Sequence, residues 1–301
     1  MSKPVLSIVI ANYNFGRFLE EAIKSVVIQN VSDKVELIIC DGGSTDNSIE
    51  IIKKYANGLP PKTMINDWQA SSNSGINTSH QHLVSWWCSE HDKGQSDAFN
   101  KGFSHASGKY GCWLNADDLL MPGALNKVIH FLESHPEAEW VGGSSIFADS
   151  NLKVIWCSRC VDTWNIWREK IPYYSVNGPS SFFLIDKLRQ VGGFDLSLNY
   201  TMDIDLWRKF VVTGMPLVHI PDYIWCFRVH EASKTSHRFI TGRSENAFAV
   251  ESRLLNSRYG ITKLNVIIGK ALNRLFRLMK GAYVVSYIDT IRFKGRFIGE
   301  V

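Results

Sequence analysis

No stretch of the 301-residue chain approaches the ~18–20 uncharged apolar residues that a membrane-spanning helix requires. A transmembrane helix is therefore not expected. Nor is there a strong excess of one charge. The 33 Lys and Arg against 29 Asp and Glu leave +4, whereas nucleic-acid binders carry a basic face that neutralises phosphates. Internal repeats and long low-complexity segments are missing too, which removes solenoids and disordered arrays. A signal peptide is imitated by Lys3 and the apolar run 5–11, but that run is short, ends in Asn-Tyr-Asn and lacks a small-residue cleavage site. Zinc-finger spacing is absent: Cys157-x-x-Cys160 has no second ligand pair and no strand-to-helix context for a thioredoxin motif. The six cysteines lie mostly in apolar stretches, where a free thiol acts as a small hydrophobe. A reducing cytoplasm is the expected compartment.

What is present is the composition of an ordinary folded domain, 45% hydrophobic and 21% charged. The length suits one large core with an appendage. We expect a body over 1–235, in halves of about 1–120 and 121–235, and a helical, basic tail over 236–301. Short β-rich runs alternate with helical periodicity in the first half. Strands are expected over 5–11, 36–40, 84–88 and 110–115, and helices over 17–29, 46–55, 95–106 and after Met121-Pro122, with Ser44 or Asp46 as a cap and proline in a first turn. Such alternation predicts an α/β fold, a mostly parallel sheet with helices on both faces. The polar stretch 57–79 reads as a surface insertion.

In sheets of this kind ligands bind beyond the carboxyl ends of the strands. Three predicted strand ends carry polar clusters there: Asn12-Tyr13-Asn14, Asp41-Gly42-Gly43-Ser44 and Asn115-Ala116-Asp117-Asp118. Adjacent acids repel unless compensated. A hard divalent cation, Mn²⁺ or Mg²⁺, takes oxygen ligands, leaves positions open for diphosphate and neutralises charge on a departing nucleoside diphosphate. Asp118 could instead cap the following helix, and Asp117 could bind the metal while Asp118 supports it. Asp41 could accept from a base or ribose hydroxyl, or make an Asx-turn with Gly42. The loop Asp92-Lys93-Gly94-Gln95-Ser96-Asp97 could add a lysine to phosphate or an acid to ribose. In the second half, Gly192-Gly193-Phe194-Asp195 leads to Asp203 and Asp205 at a helix start, where a carboxylate is held as an anion, the form a general base needs.

Four segments in this order, Ser7 to Asn14, Glu36 to Asp46, Asp92 to Gly102 and Trp113 to Asp118, resemble successive blocks of glycosyltransferase family 2, and the resemblance spans about 4–235. It implies a GT-A fold and an inverting transferase that takes nucleotide diphosphate sugars, UDP-sugars above all, with a divalent metal. By the resemblance Ala11, Tyr13, Asp41, Lys93, Asp97, Asn115 and Ala116 would line the nucleotide. Asp117 would bind metal, with His230 as a second candidate. Asp203 would be the catalytic base, with Asp118 and Asp205 behind these residues. Asn115 stands where the family's Asp-x-Asp motif begins, and Met202 where a glutamate often precedes the base. The implied partners are the nucleotide sugar and a saccharide or lipid-linked saccharide acceptor in cell-surface polysaccharide or glycolipid synthesis, with no nucleic acid. The alternatives are a metal-dependent nucleotidyltransferase and an inactive membrane-associated scaffold.

The tail carries the charge asymmetry. Between 261 and 301 eight Lys or Arg face only Asp289 and Glu300. Over 262–280 the apolar residues Leu264, Ile267, Ile268, Ala271, Leu272, Leu275, Leu278 and Met279 share one helical face and the cations another. Such a helix either lies on an anionic membrane surface, making the protein peripheral on the inner face, or docks on the body by its apolar side.

Overall fold

A computed structural model describes residues 3–29, 31, 33–56, 84–161, 176–234, 236 and 246–301. The predicted insertion over 57–79 lies outside them. The order of elements is β1 (Leu6–Asn12), α1 (Gly16–Val27), β2 (Val35–Asp41), α2 (Ser48–Ala56), β3 (Val84–Ser89), α3 (Gln95–His105), β4 (Tyr110–Asn115), β5 (Leu119–Leu120), α4 (Ala124–Ser134), β6 (Trp140–Ala148), β7 (Val154–Ser158), β8 (Ser181–Leu184), α5 (Ile185–Gln190), α6 (Met202–Val212) and β9 (Leu217–Arg228). Three helices follow: α7 (Asn246–Arg258), α8 (Lys263–Met279) and α9 (Ala282–Phe293).

One sheet runs β3-β2-β1-β4-β8-β6-β9-β5, with β7 on β6. Its first four strands are parallel, as the alternation predicts. Beyond β4 the sheet is mixed. β8 pairs antiparallel with β4 and β6, β7 with β6 and β5 with β9, while β6 and β9 run parallel. The sheet is thus mixed rather than purely parallel, its longest pairings being the parallel ones. Short strands after 120, joined without intervening crossover helices, can return antiparallel.

Residue alternation along β1 explains the layering. Leu6, Ile8 and Ile10 face a core shared with α1, α2 and α4, whereas Val9 and Ala11 face a second core shared with α3, α5 and α6. Both faces are dry, so the inner strands read as continuous apolar runs rather than alternating ones.

Two local expectations are adjusted. Asp46 rather than Ser44 serves the helix starts: its carboxylate accepts from Ser48 N (3.0 Å) at α2 and from Gly16 N (2.8 Å) at α1. At α4 Gly123, in the left-handed region at φ 72°, occupies the N-cap, so Pro122 precedes the first turn. Cys157 and Cys160 are buried, the packing role expected of them.

Candidate active site

Parallel registry aligns the predicted strand ends. Asn12 pairs with Asp41, Ala11 with Asn115, and Asp41 with Ser89, so four chain segments leave the sheet at one edge. The loops are then latched together. Asn14, at φ 54°, accepts Thr45 N through Oδ1 (2.8 Å), and its own N–H donates to Ser44 Oγ (2.8 Å).

Asp41 is the hub. Oδ1 accepts from Asn12 Nδ2 (2.6 Å) and Ser44 Oγ (2.5 Å), while Oδ2 accepts from Ser44 N (2.9 Å), Gly43 N (3.2 Å) and Ser89 Oγ (2.6 Å). The Asx-turn alternative is therefore realised, and the buried carboxylate is satisfied by the protein itself. Beside it, Tyr13 is 59% exposed. A Cβ on Gly42 would stand 2.8 Å from Asp92 Oδ2 and 3.3 Å from Tyr13 Cδ2, so only glycine lets these two side chains close in. Asp92 accepts from Gly94 N (2.8 Å), and Asp97 from the backbone N–H of Lys93 (3.0 Å). The Lys93 side chain is exposed.

The acidic cluster lies in the turn between β4 and β5. β5 runs antiparallel to β9 with Leu119 opposite Cys226, and continuing that register sets Asp118 opposite Phe227 and Asp117 opposite Arg228, two residues before His230. His230 Nε2 stands 3.0 Å from Asp117 Oδ2. Its other ring nitrogen, Nδ1, is buried with no partner among the described residues. Asp118 is fully buried, accepting from Arg228 N (3.2 Å) and Asn115 Nδ2 (2.8 Å). Burial and then the charge of Asp117 push its carboxyl well above the ordinary range. Asn115 is held from the other side by Gln95 Nε2 (2.7 Å). Its amide donates where an aspartate would add a third negative charge, a physical reason for asparagine at this position. Ala116 is buried, as is Ala11.

Sequence reasoning missed the support behind this turn. Arg228 is buried, pairs with Glu21 (2.5 Å) and lies 4.6 Å over the Phe18 ring, which also contacts His230 at 4.5 Å. Glu21 and Phe18 sit in an amphipathic helix, where nothing local distinguishes them from other surface or core positions. The contact is a tertiary one.

Asp203 opens α6, half-buried, and its Oδ1 accepts its own helix's Ile204 N–H (2.7 Å). Burial raises its carboxyl to about 6, against the pull of that hydrogen bond. Among the described residues it makes no hydrogen bond to the strand-end clusters. The loop before it is tied to the start of α3: Ser96 Oγ donates to Leu198 O (3.2 Å) and lies 3.3 Å from Met202 Sδ, so Met202 is packed there. Asn100 holds the Gly193-Phe194 turn by two bonds of 2.8 Å. Asp205 is buried, paired with Lys209 (2.9 Å) and accepting Tyr259 OH (2.8 Å), so it anchors the chain beyond α7. Glu251 of α7 accepts Asn199 N (2.6 Å) and Tyr200 N (2.7 Å), bracing the approach to Asp203. That brace too was invisible in sequence, because it joins residues far apart in the chain.

The family described as Glycosyl transferase family 2 matches residues 7–76 and 87–183, more than half of the chain. The chain belongs to this family. It is a glycosyltransferase, and nucleotidyl transfer gives way to sugar transfer. The putative glycosyltransferase EpsE of Bacillus subtilis is 26% identical over 91% of this chain and 90% of its own length. The hyaluronan synthase of Pasteurella multocida is 27% identical over 87% of this chain, which spans only 24% of that protein. An uncharacterized Nostoc glycosyltransferase is 33% identical over 43% of this glycosyltransferase and 33% of its own length. Among solved structures, S. aureus TarS 1–349 in complex with UDP-GlcNAc superposes with a TM-score of 0.58 at 16% identity, covering 84% of this chain and 65% of that one. The mannosyltransferase PcManGT of Pyrobaculum calidifontis, in complex with GDP-Man and Mn²⁺, gives 0.53 at 16% identity over 95% and 84%. These likenesses establish the GT-A fold.

Proposed function

We propose that this glycosyltransferase moves a sugar from a nucleotide diphosphate sugar, a UDP-sugar as first choice, to a hydroxyl of a saccharide or lipid-linked saccharide, with inversion at the anomeric carbon, in cell-surface polysaccharide or glycolipid synthesis. The observation that carries the reading is Asp203, a half-buried carboxylate at a helix start whose pKa stands near 6. Such a group is ionised at neutral pH and still basic enough to take a proton as bond formation makes the hydroxyl acidic. The acceptor oxygen attacks the anomeric carbon opposite the departing diphosphate, its proton passes to Asp203, and a single displacement inverts configuration.

Tyr13 supplies an aromatic face for the base, with Ala11 and Ala116 as close walls. Asp41 fixes the pocket by tying three loops, and Lys93 and Asp97 stand at its rim toward phosphate and ribose. Asp117 with His230 suits a divalent cation, Mn²⁺ or Mg²⁺: one carboxylate oxygen and one imidazole nitrogen stand 3.0 Å apart, few enough protein ligands to leave room for diphosphate oxygens. When bound, the metal would neutralise charge on the departing diphosphate. Asn115 and Asp118 hold the turn that carries Asp117, and Asp205 holds α6. The catalytic unit is assigned to 1–235 and the tail to 236–301, with α7 braced against the unit.

The test is a panel of nucleotide sugars supplied with Mn²⁺, with Mg²⁺ and with chelator, following nucleoside diphosphate release and, by NMR, the product's anomeric configuration. We expect metal-dependent release from one donor class and an inverted linkage. A retained configuration would overturn the single-displacement reading, and failure of every donor would favour the scaffold.

A further inference from the structure

Helix α9 meets the body with its polar side and, at its last residue, with Phe293, which packs against the core. Ser286 Oγ accepts the backbone N–H of Arg159 (3.0 Å) and Thr290 Oγ1 that of Cys157 (2.9 Å), both from the end of β7 and just beyond it. Asp289 pairs with Arg159 (2.8 Å) and accepts the hydroxyl of Tyr223 (2.6 Å), and Asp289 and Ala282 are buried by the docking. The opposite stripe, Tyr283, Val284, Tyr287, Ile288 and Ile291, is left in solvent, Tyr287 at 68% and Ile291 at 64% exposure. Rolling the helix to bury it would break every one of those bonds. An amphipathic helix on a soluble domain is ordinarily oriented the other way.

Helix α8 likewise leaves its apolar residues outward. Leu264, Ile267, Ile268, Leu275, Leu278 and Met279 are all exposed, and Gly269 is its one buried residue among those described. Body docking through the apolar face, one of the two expectations for 262–280, is therefore not what the structure adopts. Exposed apolar residues scattered singly are ordinary, but two successive helices with contiguous exposed stripes mark a contact surface.

Charge selects the occupant. Lys263, Lys270, Arg274, Lys280, Arg292, Lys294 and Arg296 are exposed on and beside these helices. The acids of 261–301 are Asp289, already committed to Arg159, and Glu300. A second copy of the chain would set this cationic surface against its like, whereas an anionic leaflet offers acyl chains to the stripes and phosphates to the cations. Among the described residues no helix is long and apolar enough to cross a membrane, so the contact lies at the interface. We propose that α8 and α9 together form a monotopic docking face for an anionic lipid surface, α9 serving as the rigid link between that surface and the sheet.

The full chain is sedimented with phosphatidylcholine vesicles and with vesicles that also contain phosphatidylglycerol. The account expects binding that needs the anionic lipid and weakens as salt rises. The paired change Tyr287→Glu with Ile288→Glu should abolish it, and Lys270→Glu with Arg274→Glu should weaken it severalfold, both with unchanged melting and oligomeric state. Because the salt and lipid dependence needs no variant, a misfolded variant leaves the test intact. Equal binding to neutral vesicles, no binding to either, or a dimer in solution that the α9 changes dissolve would overturn the proposal. The readout is independent of sugar transfer, so it stands or falls separately from the catalytic reading.

Discussion

At the level of single residues, Asp203 and Asp41 show what a sequence reveals about a carboxylate. Asp203 was legible because a helix-start acid after a glycine turn is locally encoded. Its raised pKa was not, since burial comes from the packing of distant segments. The rise has two consequences with definite signs. Transfer requires the ionised form, so kcat/KM should be level above pH 6 and fall about tenfold per unit below it, read from a pH–rate profile. The folded state holds the Asp203 proton more tightly than the unfolded chain, so ionised Asp203 weakens folding above about pH 6, and neutralising it does not cost stability there. The place of Asp41 at a strand end was legible by position. Its partners, drawn from β1, β3 and its own loop, are set by registry, which no local pattern carries.

Elements of the first half were read closely, since buried parallel strands and amphipathic helices announce themselves by periodicity. β5 to β9 were not: β5, β7 and β8 are short, β6 and β9 pair through irregular registers, and which neighbours run antiparallel depends on where the chain turns. That lost half contains the register that brings His230 to Asp117. The turn before α6 offers a sharp test at this scale. Gly193 sits at φ 70°, and a Cβ there would collide with Asn100 Oδ1. Gly193→Ala should therefore cost about 1–3 kcal/mol of stability, measured by chemical denaturation. The same change should disturb the loop that leads to Asp203, lowering turnover more than donor binding.

Across the whole molecule, two cores on opposite faces of one sheet hold four strand ends in line, and the proposal adds an acid from the second half to them. The tail's amphipathicity was plain in the sequence, but which way its helices face is a tertiary fact decided by Asp289, Arg159 and Tyr223. The central claim is direct displacement with Asp203 as the base. The measurement that reaches it most directly compares wild type with Asp203→Asn on the preferred donor, nucleotide affinity being taken by calorimetry on the same samples. The account predicts unchanged nucleotide binding and a melting temperature no lower than wild type, with transfer reduced about 10²–10⁴-fold; undiminished transfer by Asp203→Asn would contradict it.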